Sequence, residues 1–311
     1  MNIPSVKRGI DYLIHNRAQF CDSIVKNFLS WLPDKPYLSL RYRFQMGHWI
    51  NWKNPTTFTE KLQWLKIYDY KPEYTKMVDK LTAKDYVASK IGKEHIIPTL
   101  GVWDKVEDID WNSLPNQFVL KTTHGGGGCG VVVCSDKAHF DKDEANKKLQ
   151  ISMRSNLGRS YREKPYLNVH RKIIAEKFIS EYKQKDNSKD TDIPDYKFFC
   201  FNGKVKFFKI DFGRFVEHHA NYYSTNCELL MFGETGLEPK PNADIKIPGN
   251  IKEMIELAEK LSKNIPFLRV DFYNVNDKIF FGELTFYPAS GMIPWSPNEA
   301  DFEIGKFLRI K

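Results

Sequence analysis

The sequence predicts an α+β fold in which helices precede two groups of antiparallel strands. Three observations support this prediction. Thr57 and Glu60 have the spacing of a helix-capping box, and apolar residues follow them at helical intervals. A strand-like run of apolar and β-branched residues begins near Asn116. Asn202 and Gly203, between two aromatic-rich segments, are the residue pair most typical of a tight β-hairpin.

Length and composition indicate a folded protein. The chain has 311 residues, of which 41% are hydrophobic and 28% are charged, and its net charge is +8. This charge favours an anionic partner such as a nucleotide, an acidic glycan or a lipid headgroup. Five cysteines without a C-x-x-C pair favour a reducing compartment. No apolar run is long enough to span a membrane, so we expect a cytoplasmic protein, with the inner face of the membrane as an alternative location.

Residues 1–75 are predicted to form a helical N-terminal region. Aromatic residues interleaved with Lys and Arg crowd the first fifty positions, which suits a membrane surface, an anionic glycan or packing on the same domain. Helices are predicted over residues 57–68 and 79–91, and the second ends at Gly92. Residues 76–115 are interpreted as a connecting helix and strand.

Residues 116–185 are predicted to form a small lobe of strand, loop, strand, helix and strand. Its loop lies in the run KTTHGGGGCGVVVC (residues 121–134) and matches neither G-x-x-x-x-G-K-[ST] nor G-x-G-x-x-G. Because this loop joins two strands, its glycines can form a flap whose amides approach phosphate oxygens. Lys121 can add a positive charge there. The alternative is a mobile hairpin without a ligand. The flap consists of Gly125, Gly126, Gly127 and Gly128.

Residues 186–311 are predicted to form a second lobe with two hairpins and a helix over residues 251–261, capped by Asn250. If the turn of the last hairpin, at residues 275–277, holds an odd number of residues, odd-numbered side chains of both strands share one face. That face carries Arg269, Asp271, Glu283 and Thr285. The opposite, core face carries Leu268, Val270, Phe272, Phe280, Gly282, Leu284 and Phe286.

The odd-numbered face is a candidate metal site. Asp271 and Glu283 are predicted to be near-diagonal neighbours, within about 7–8 Å between their Cβ atoms. Two carboxylates at this distance suit Mg²⁺, which completes its shell with water and phosphate oxygens. Arg269 can hold a substrate anion or a developing oxyanion. The competing interpretation is an Arg–Asp–Glu ion network, and a two-residue turn would divide these side chains between the faces.

Together these segments resemble the ATP-grasp enzymes, and most closely the TupA-like amide ligases, named after teichuronopeptide biosynthesis, of bacterial surface-polysaccharide gene clusters. The resemblance runs from about residue 54 to the end. It is carried by TFTEKLQWLKIYD, KMVDKLTAKDYVASKIG, LPNQFVLKTTHGGGGCG, IIAEKFI, DYKFFCFNGKV, LRVDFYNVNDKIFFGELTFYPASGM and PNEADFEIG. It implies an ATP-grasp fold, in which two lobes with antiparallel sheets clasp ATP, one bearing the flap and the other the metal carboxylates.

The resemblance also implies which residues bind the nucleotide. Lys80 and Lys121 match the phosphate-binding lysines, and residues 125–128 match the flap. Either Asp195 or Glu181 matches the ribose contact. The strand that meets the adenine, partly through main-chain groups, is matched by Glu176, Lys177 and Ile179.

The same resemblance assigns the reacting end of the site. Asp271 and Glu283 match the metal carboxylates, while Thr285 stands where the family has an asparagine as the third metal-site residue. Arg269 and a backbone N–H near Gly291 match the groups that hold the tetrahedral oxyanion.

The implied activity is that of an ATP- and Mg²⁺-dependent carboxylate–amine ligase, with Mn²⁺ as the alternative ion, that forms an amide through an acylphosphate. The expected partners are an amino acid or small peptide and a sugar, uronic acid or acidic glycan of capsular or other cell-surface polysaccharide. Two alternatives stay open, namely an ATP-dependent sugar phosphotransferase and a non-catalytic polysaccharide-binding protein. Specific nucleic-acid binding is not expected, because its usual motifs are absent. Peripheral association with a membrane surface is a further expectation, and the oligomeric state stays open.

Overall fold

The structure of the chain, a computed structural model, describes residues 17–180, 193–212, 218–237, 239–243 and 245–310. In chain order, the helices are α1 (Arg17–Phe28), α2 (Asp34–Met46), α3 (Phe58–Tyr68), α4 (Glu73–Val78), α5 (Thr82–Ile91), α6 (Lys142–Arg154), α7 (Leu157–Tyr161), α8 (Lys164–Leu167), α9 (Ile251–Ser262) and α10 (Glu299–Phe307). The strands are β1 (Thr99–Trp103), β2 (Phe118–Thr122), β3 (Val131–Cys134), β4 (Ile173–Lys177), β5 (Asp195–Phe201), β6 (Lys204–Phe212), β7 (His219–Ser224), β8 (Leu229–Leu230), β9 (Gly233–Glu234), β10 (Phe267–Val275), β11 (Lys278–Thr285) and β12 (Trp295–Ser296).

The smaller sheet contains four antiparallel strands in the order β1-β4-β2-β3. β2 and β3 flank the glycine run, so the glycines do connect two strands of a hairpin. α6 follows this hairpin and begins after Asp141, whose carboxylate accepts from the backbone N–H of Glu144 at 2.9 Å. The sheet and α6 enclose a small core of their own, which includes Phe118, Leu120, Leu149 and Ile173.

The larger sheet contains six antiparallel strands in the order β11-β10-β5-β6-β7-β8. Asn202 and Gly203 form the predicted tight turn between β5 and β6, with φ values of 49° and 80°. One face of this sheet packs against α9. The opposite face is aromatic at one end, where Phe267 meets Phe58 of α3 with ring centroids 4.9 Å apart. The rest of that face carries charged residues.

The predicted helix starts are partly confirmed. At α3, the Glu60 N–H donates to Thr57 Oγ1 at 3.2 Å and the Thr57 N–H donates to Glu60 Oε2 at 3.2 Å, which completes the capping box. The next predicted helix ends at Ile91 as expected, but it begins at Thr82 rather than at Asp79. The Asp79 carboxylate instead accepts from backbone N–H groups that follow it in a turn before α5.

Asn250 stands at the N-cap position of α9, as predicted, but it does not cap the helix through its side chain. The Asn250 Oδ1 accepts from Asn274 at 2.5 Å, and its Nδ2 donates to the carbonyl of Asp277 at 3.0 Å. The amide therefore ties the start of α9 to the last hairpin, which leaves it unavailable to the helix N–H groups.

The described part of the N-terminal region is helical, as predicted. α1 and α2 pack against each other around Val25, Tyr37 and Leu38, and Met292 from the far end of the chain joins this cluster. None of the helices in the described ranges could cross a membrane. The division of the chain into segments 1–75, 76–115, 116–185 and 186–311 stays a prediction. The pairing of β1 with β4 places residues 99–103, predicted as part of the connecting segment, in the smaller sheet.

Candidate functional site

The last hairpin turns differently from the prediction. Its turn is Asn276 and Asp277 alone, with φ values of 49° and 61°, so it holds two residues rather than an odd number. Nearest the turn, Phe272 therefore lies opposite Phe281, and Phe280 lies opposite Tyr273. Phe280 does not belong to the core face, which corrects the predicted alternation over this stretch.

A bulge restores the predicted grouping farther along the hairpin. The register shifts at Gly282, so Asp271 pairs directly with Glu283 and Arg269 with Thr285. A bulge adds one residue to one strand and so reverses the parity beyond it. A Cβ on Gly282 would lie 3.1 Å from the Asp271 carbonyl oxygen, which explains why glycine suits this position. The four predicted companions thus share a face, and the two carboxylates are direct rather than diagonal neighbours.

The guanidinium of Arg269 lies among the other three side chains. Its Nε and Nη2 donate to the two carboxylate oxygens of Asp271, both at 2.7 Å. The Nη2 also donates to Glu283 Oε1 at 2.7 Å and to Thr285 Oγ1 at 3.1 Å. Thr285 Oγ1 donates to the same Glu283 oxygen at 2.9 Å. The Arg–Asp–Glu network considered from the sequence is therefore present.

Lys197 extends this network across β5. Its Nζ lies 3.2 Å from Asp271 Oδ2 and 3.4 Å from Asp211 Oδ2, and it donates to the carboxylate of Asp195. Asp195, a predicted ribose contact, is thus a buried member of the same charged face. Its alternative, Glu181, lies outside the described residues. The ribose contact stays a prediction.

Arg269 also favours the ionised form of the two carboxylates. Burial raises the pKa of Glu283, but Arg269 and Lys80 outweigh it and lower the pKa to about 2. Burial dominates at Asp271 and raises its pKa, against the opposing effect of Arg269 and Lys197. Glu283 is therefore ionised at neutral pH. Its side chain is 34% exposed, whereas that of Asp271 is 3% exposed.

The chemistry of these donors fits Mg²⁺ shared with a nucleotide. In the described ranges, no group of three or more His, Cys, Asp and Glu side chains is arranged to hold a metal by itself. Asp271 and Glu283 suit an ion that takes one or two carboxylates and fills its shell with phosphate oxygens and water. Thr285 orients the Glu283 carboxylate, and its role as a ligand stays a prediction.

Lys80, in the turn before α5, contacts the glycine loop of the small lobe. The Lys80 N–H donates to Thr123 O at 3.0 Å, and its Nζ donates to the carbonyl of Gly125. Burial lowers the pKa of Lys80. Gly127 and Gly128 have φ values of 58° and 75°, and a Cβ on either would meet open space. The loop therefore has the backbone freedom that the flap prediction requires.

Lys121 belongs to a buried ion triad. Its Nζ lies 2.6 Å from Glu176 Oε2, and Lys84 Nζ lies 2.6 Å from Glu176 Oε1. Burial lowers the pKa of Lys121, but Glu176 outweighs it and holds that pKa above its ordinary value. Lys84 is not among the residues predicted from the sequence. It stands four residues after Lys80 within the helix predicted over residues 79–91, a spacing of one helical turn that could have identified it.

The predicted adenine residues lie at the end of β4. The side chain of Glu176 faces the two lysines of the triad. The N–H of Lys177 donates to the Pro98 carbonyl at 2.9 Å, and its side chain is exposed. Ile179 follows the strand and is half-buried. These positions leave the adenine contact a prediction.

The charged groups of the two lobes interact across the space between the sheets. Glu283 of the large lobe raises the pKa of Lys80, opposing the effect of burial. Glu283 and Tyr273 also contribute to the raised pKa of Lys121. The structure thus brings the small-lobe lysines, the glycine loop and the carboxylates into one neighbourhood.

Gly291 lies in a 3₁₀ turn, Pro288–Gly291, that follows β11. It has a φ of 60°, and its carbonyl accepts from Gln63 Nε2 on α3 at 2.8 Å. Its N–H as an oxyanion donor stays a prediction.

Three solved structures illustrate what the chain is similar to. D-alanine–D-alanine ligase from Bacillus anthracis, complexed with ATP, is 15% identical, with 68% of this chain and 53% of that chain covered and a TM-score of 0.38. N5-carboxyaminoimidazole synthetase from Staphylococcus aureus, complexed with ADP, is 18% identical, with 72% and 50% covered and a TM-score of 0.42. Biotin carboxylase from Campylobacter jejuni is 14% identical, with 88% and 54% covered and a TM-score of 0.41. The chain spans about half the length of these proteins.

No curated protein sequence matches the chain. The family model for TupA-like ATP-grasp proteins matches residues 60–309, which is most of its length. This match confirms the resemblance seen in the sequence, the α+β ATP-grasp fold class and the placement among ATP-grasp enzymes. The chain therefore belongs to the TupA-like ATP-grasp family.

Proposed function

We propose that the protein is an ATP-dependent carboxylate–amine ligase that forms an amide through an acylphosphate. One observation carries the proposal. The Arg269, Asp271 and Glu283 cluster of the large sheet lies close enough to Lys80 and Lys121 for Glu283 to favour the charged form of both lysines. Cations on one side and carboxylates on the other suit a nucleotide triphosphate with its metal ion.

In the first step, an oxygen of the substrate carboxylate attacks the γ-phosphorus of ATP. The bond from that phosphorus to the bridging oxygen of ADP breaks, which gives an acylphosphate and ADP. Lys80, Lys121 and the amides of residues 125–128 position the phosphates and spread their charge. Mg²⁺ held by Asp271 and Glu283 would neutralise phosphate charge and draw these oxygens together.

In the second step, the amine nitrogen attacks the acyl carbon and a tetrahedral oxyanion forms. Arg269 holds this oxyanion. The bond from carbon to the phosphate oxygen then breaks, phosphate leaves, and the nitrogen loses a proton to give the amide. The guanidinium of Arg269 donates two hydrogen bonds to Asp271, one to Glu283 and one to Thr285. These four contacts orient it before the substrate arrives.

The proposed substrates are an amino acid or small peptide and an acidic sugar intermediate of a cell-surface polysaccharide. The net charge of +8 supports an acidic glycan. A location at the inner face of the membrane is part of this proposal. It is supported by the apolar side chains of Phe20, Ile24 and Phe28, which are exposed at four-residue intervals on α1.

Hydroxylamine trapping tests the reaction class. The purified chain is incubated with ATP, MgCl₂, hydroxylamine and a panel of uronic acids and amino acids, and hydroxamate and ADP are measured. A ligase yields both products in equal amounts, because hydroxylamine captures the acylphosphate. ADP and a sugar phosphate without hydroxamate would identify a phosphotransferase instead.

Thermal unfolding tests the non-catalytic alternative. With ATP at 100 times its Kd, together with MgCl₂, binding stabilises the folded state by about 2.7 kcal/mol and raises the melting temperature. A polysaccharide-binding protein with an incidental glycine loop would show no such rise.

A further inference from the structure

The glycine loop of the small lobe is packed at its base and open at its tip. A Cβ on Gly130 would collide with Ser152 Oγ of α6, and a Cβ on Gly125 would lie 2.6 Å from Thr122 Oγ1 of β2. These two hydroxyl oxygens lie 2.7 Å apart, so they form one buried pair beneath the loop. At residues 127–128 a Cβ would meet open space. The base is therefore fixed by α6 and β2, while the tip has room to move.

Leu157 meets the loop between its base and its tip. A Cβ on Gly126 would lie 3.3 Å from Leu157 Cδ1, so this side chain packs against the loop. Leu157 is the first residue of α7, which has five residues and begins where Asn156 Oδ1 accepts from the Arg159 N–H at 2.9 Å. So short a helix is not stable by itself. The place of Leu157 therefore depends on what holds the two ends of α7.

The N-terminal helices hold the far end of α7. The last carbonyls of a helix have no partner within it. The Ser160 carbonyl accepts from Arg41 Nη1 at 2.7 Å and from Tyr37 Oη at 2.9 Å, both on α2. The Tyr161 carbonyl accepts from Lys66 Nζ on α3 at 3.1 Å. Three side chains of α2 and α3 therefore satisfy carbonyls that α7 leaves unpaired.

Arg41 is also fixed from its other side. Its Nε and Nη2 donate to the two carboxylate oxygens of Asp22, on α1, at 2.6 and 2.8 Å. Both residues are buried, and a bidentate pair of this kind fixes the plane of the guanidinium. The guanidinium carbon lies 4.8 Å from the centroid of the Tyr161 ring. One side chain thus connects α1, α2 and α7.

Arg162, directly after α7, makes the connection in the opposite direction. Its Nη2 donates to the carbonyls of Ser30 and Leu32 at 2.7 and 3.0 Å. These two residues link α1 to α2. The Nε of Arg162 lies 3.3 Å from Asp34 Oδ1, and its guanidinium carbon lies 4.0 Å from the centroid of the Tyr37 ring. The end of α7 is therefore bound to the N-terminal helices by donors from both sides.

We infer that Arg41 and Arg162 form a brace through which the N-terminal helices position the glycine loop, with Leu157 as the contact. Both arginines are positioning residues in this inference. It rests on the proposed function, in which the loop closes over the phosphates of ATP, and it gives α1 and α2 a role in nucleotide binding. Because ATP binds tightly only where the loop is in place, loss of the brace raises the Kd in proportion to the molecules whose loop has left that place.

Arg162→Met tests the brace without leaving a buried charge. The side chain of its partner Asp34 is 43% exposed. Arg41→Met is less suitable, because it would leave the buried carboxylate of Asp22 without its counter-charge. Arg159→Met is the matched control, since it makes the same change of charge on the same short helix at an exposed side chain.

Leu157→Ala tests the other end of the connection. It removes the contact with Gly126 and leaves the hydrogen bonds of the brace in place. Tyr37→Phe replaces Arg162→Met if that variant fails to fold, because it removes only the hydrogen bond to the Ser160 carbonyl. The same direction of effect is then expected.

Amide hydrogen exchange of the full chain measures the loop without any nucleotide. Backbone hydrogen bonds within the loop, such as that from the Cys129 N–H to the Gly126 carbonyl at 3.0 Å, protect its amides. We expect exchange over the loop to rise at least about threefold in Arg162→Met and in Leu157→Ala, and to stay unchanged in Arg159→Met. Unchanged exchange in either of the first two variants, or an equal rise in the control, would overturn the brace.

Affinity for ATP tests the consequence for binding. By calorimetric titration with MgCl₂ present, we expect the Kd for ATP to rise about tenfold in Arg162→Met and in Leu157→Ala, as when about one molecule in ten keeps the loop in place. It should change less than about twofold in Arg159→Met. An equal rise in the control would mean that the lost positive charge, rather than the brace, weakens binding, and would contradict the inference.

A double variant decides whether Arg162 acts through Leu157. If it does, Arg162→Met combined with Leu157→Ala should bind ATP within about twofold of Leu157→Ala alone, because residues of one connection are not additive. A combined rise of about 100-fold in the Kd, the product of the two single effects, would show separate routes and overturn the inference.

Failure of the ligase proposal has a different signature. If the unaltered chain neither binds ATP nor gives hydroxamate with any acid of the panel, the proposed function is wrong. The exchange comparison uses no nucleotide, so it still decides whether the N-terminal helices position the loop.

Discussion

The two lobes differ in the ratio of cationic to anionic side chains in their buried charge clusters. In the small lobe, the single carboxylate of Glu176 pairs with Lys121 of β2 and with Lys84 of the adjoining helix α5. In the large lobe, Arg269 and Lys197 lie among several carboxylates, Asp195, Asp211, Asp271 and Glu283. The small-lobe triad therefore carries a surplus of positive charge, and the large-lobe cluster a surplus of negative charge. The first suits phosphate oxygens and the second suits a divalent cation.

The two clusters also differ in exposure. The side chain of Glu176 is 7% exposed and both of its oxygens face lysines, whereas that of Glu283 is 34% exposed. Loss of one partner from a buried ion pair costs about 3–5 kcal/mol of stability. We therefore expect changes in the triad to affect folding and binding together, and changes at Glu283 to affect the reaction alone.

The largest effect is expected for Glu283→Gln. The substitution keeps the volume and leaves the two bonds from Arg269 to Asp271, so the fold should persist. It removes a charge from the proposed metal site, and we expect ADP formation to fall by about 10²–10³-fold. ADP release and thermal unfolding measure the two effects. Glu303→Gln, which breaks an exposed pair with Lys306, is the control, and near-normal turnover of Glu283→Gln would refute the metal assignment.

An intermediate effect is expected for Lys121→Ala compared with Lys84→Ala. Each substitution removes one of the two ion pairs of Glu176. Lys84→Ala also removes hydrogen bonds to Ile97 O and Thr99 Oγ1, so it should lose at least as much stability as Lys121→Ala. A charge-assisted hydrogen bond contributes about 1.5–3 kcal/mol, so the Kd for ATP should rise about 10–100-fold in Lys121→Ala. It should change less than about threefold in Lys84→Ala. If calorimetric titration shows the same rise in the Kd for ATP in Lys121→Ala and Lys84→Ala, Lys121 has a structural role only.

The smallest effect is expected for Thr285→Val. This change removes the hydrogen bond to Glu283 Oε1 and the acceptor for Arg269. One hydrogen bond contributes about 0.5–1.5 kcal/mol, so ADP formation should fall about threefold to tenfold. Thr285→Ser should retain the rate of the unaltered chain. A much larger loss in Thr285→Val, accompanied by a weaker Mg²⁺ dependence, would indicate that the hydroxyl binds the ion.

Local sequence signals predicted the elements that depend on neighbouring residues. The capping box of Thr57 and Glu60 and the turn of Asn202 and Gly203 are both present. Each is a short-range interaction, so a short stretch of sequence contains all the groups involved. Asn250 shows the limit of this reasoning, since its side chain bonds to residues 24 and 27 positions away rather than to its own helix.

The shared face of Arg269, Asp271 and Glu283 was predicted correctly, but the hairpin geometry assumed for it was wrong. The sequence pattern favoured a shared face for Arg269, Asp271 and Glu283 through an odd-numbered turn, whereas the structure reaches it through a two-residue turn and a bulge at Gly282. A bulge depends on contacts across the hairpin, which alternation along one strand does not encode.

The sequence by itself determined the family and the order of the elements, and it supplied the candidate residues for phosphate and metal, because motifs and periodicity are properties of the chain. Only the tertiary structure decided what those side chains contact. It placed Lys84 beside Glu176 and brought Lys66 of α3 to Ser290, 224 residues away. A lysine ammonium is tolerated in the interior only where oxygen acceptors converge on it, and that convergence exists once the distant segments have packed together.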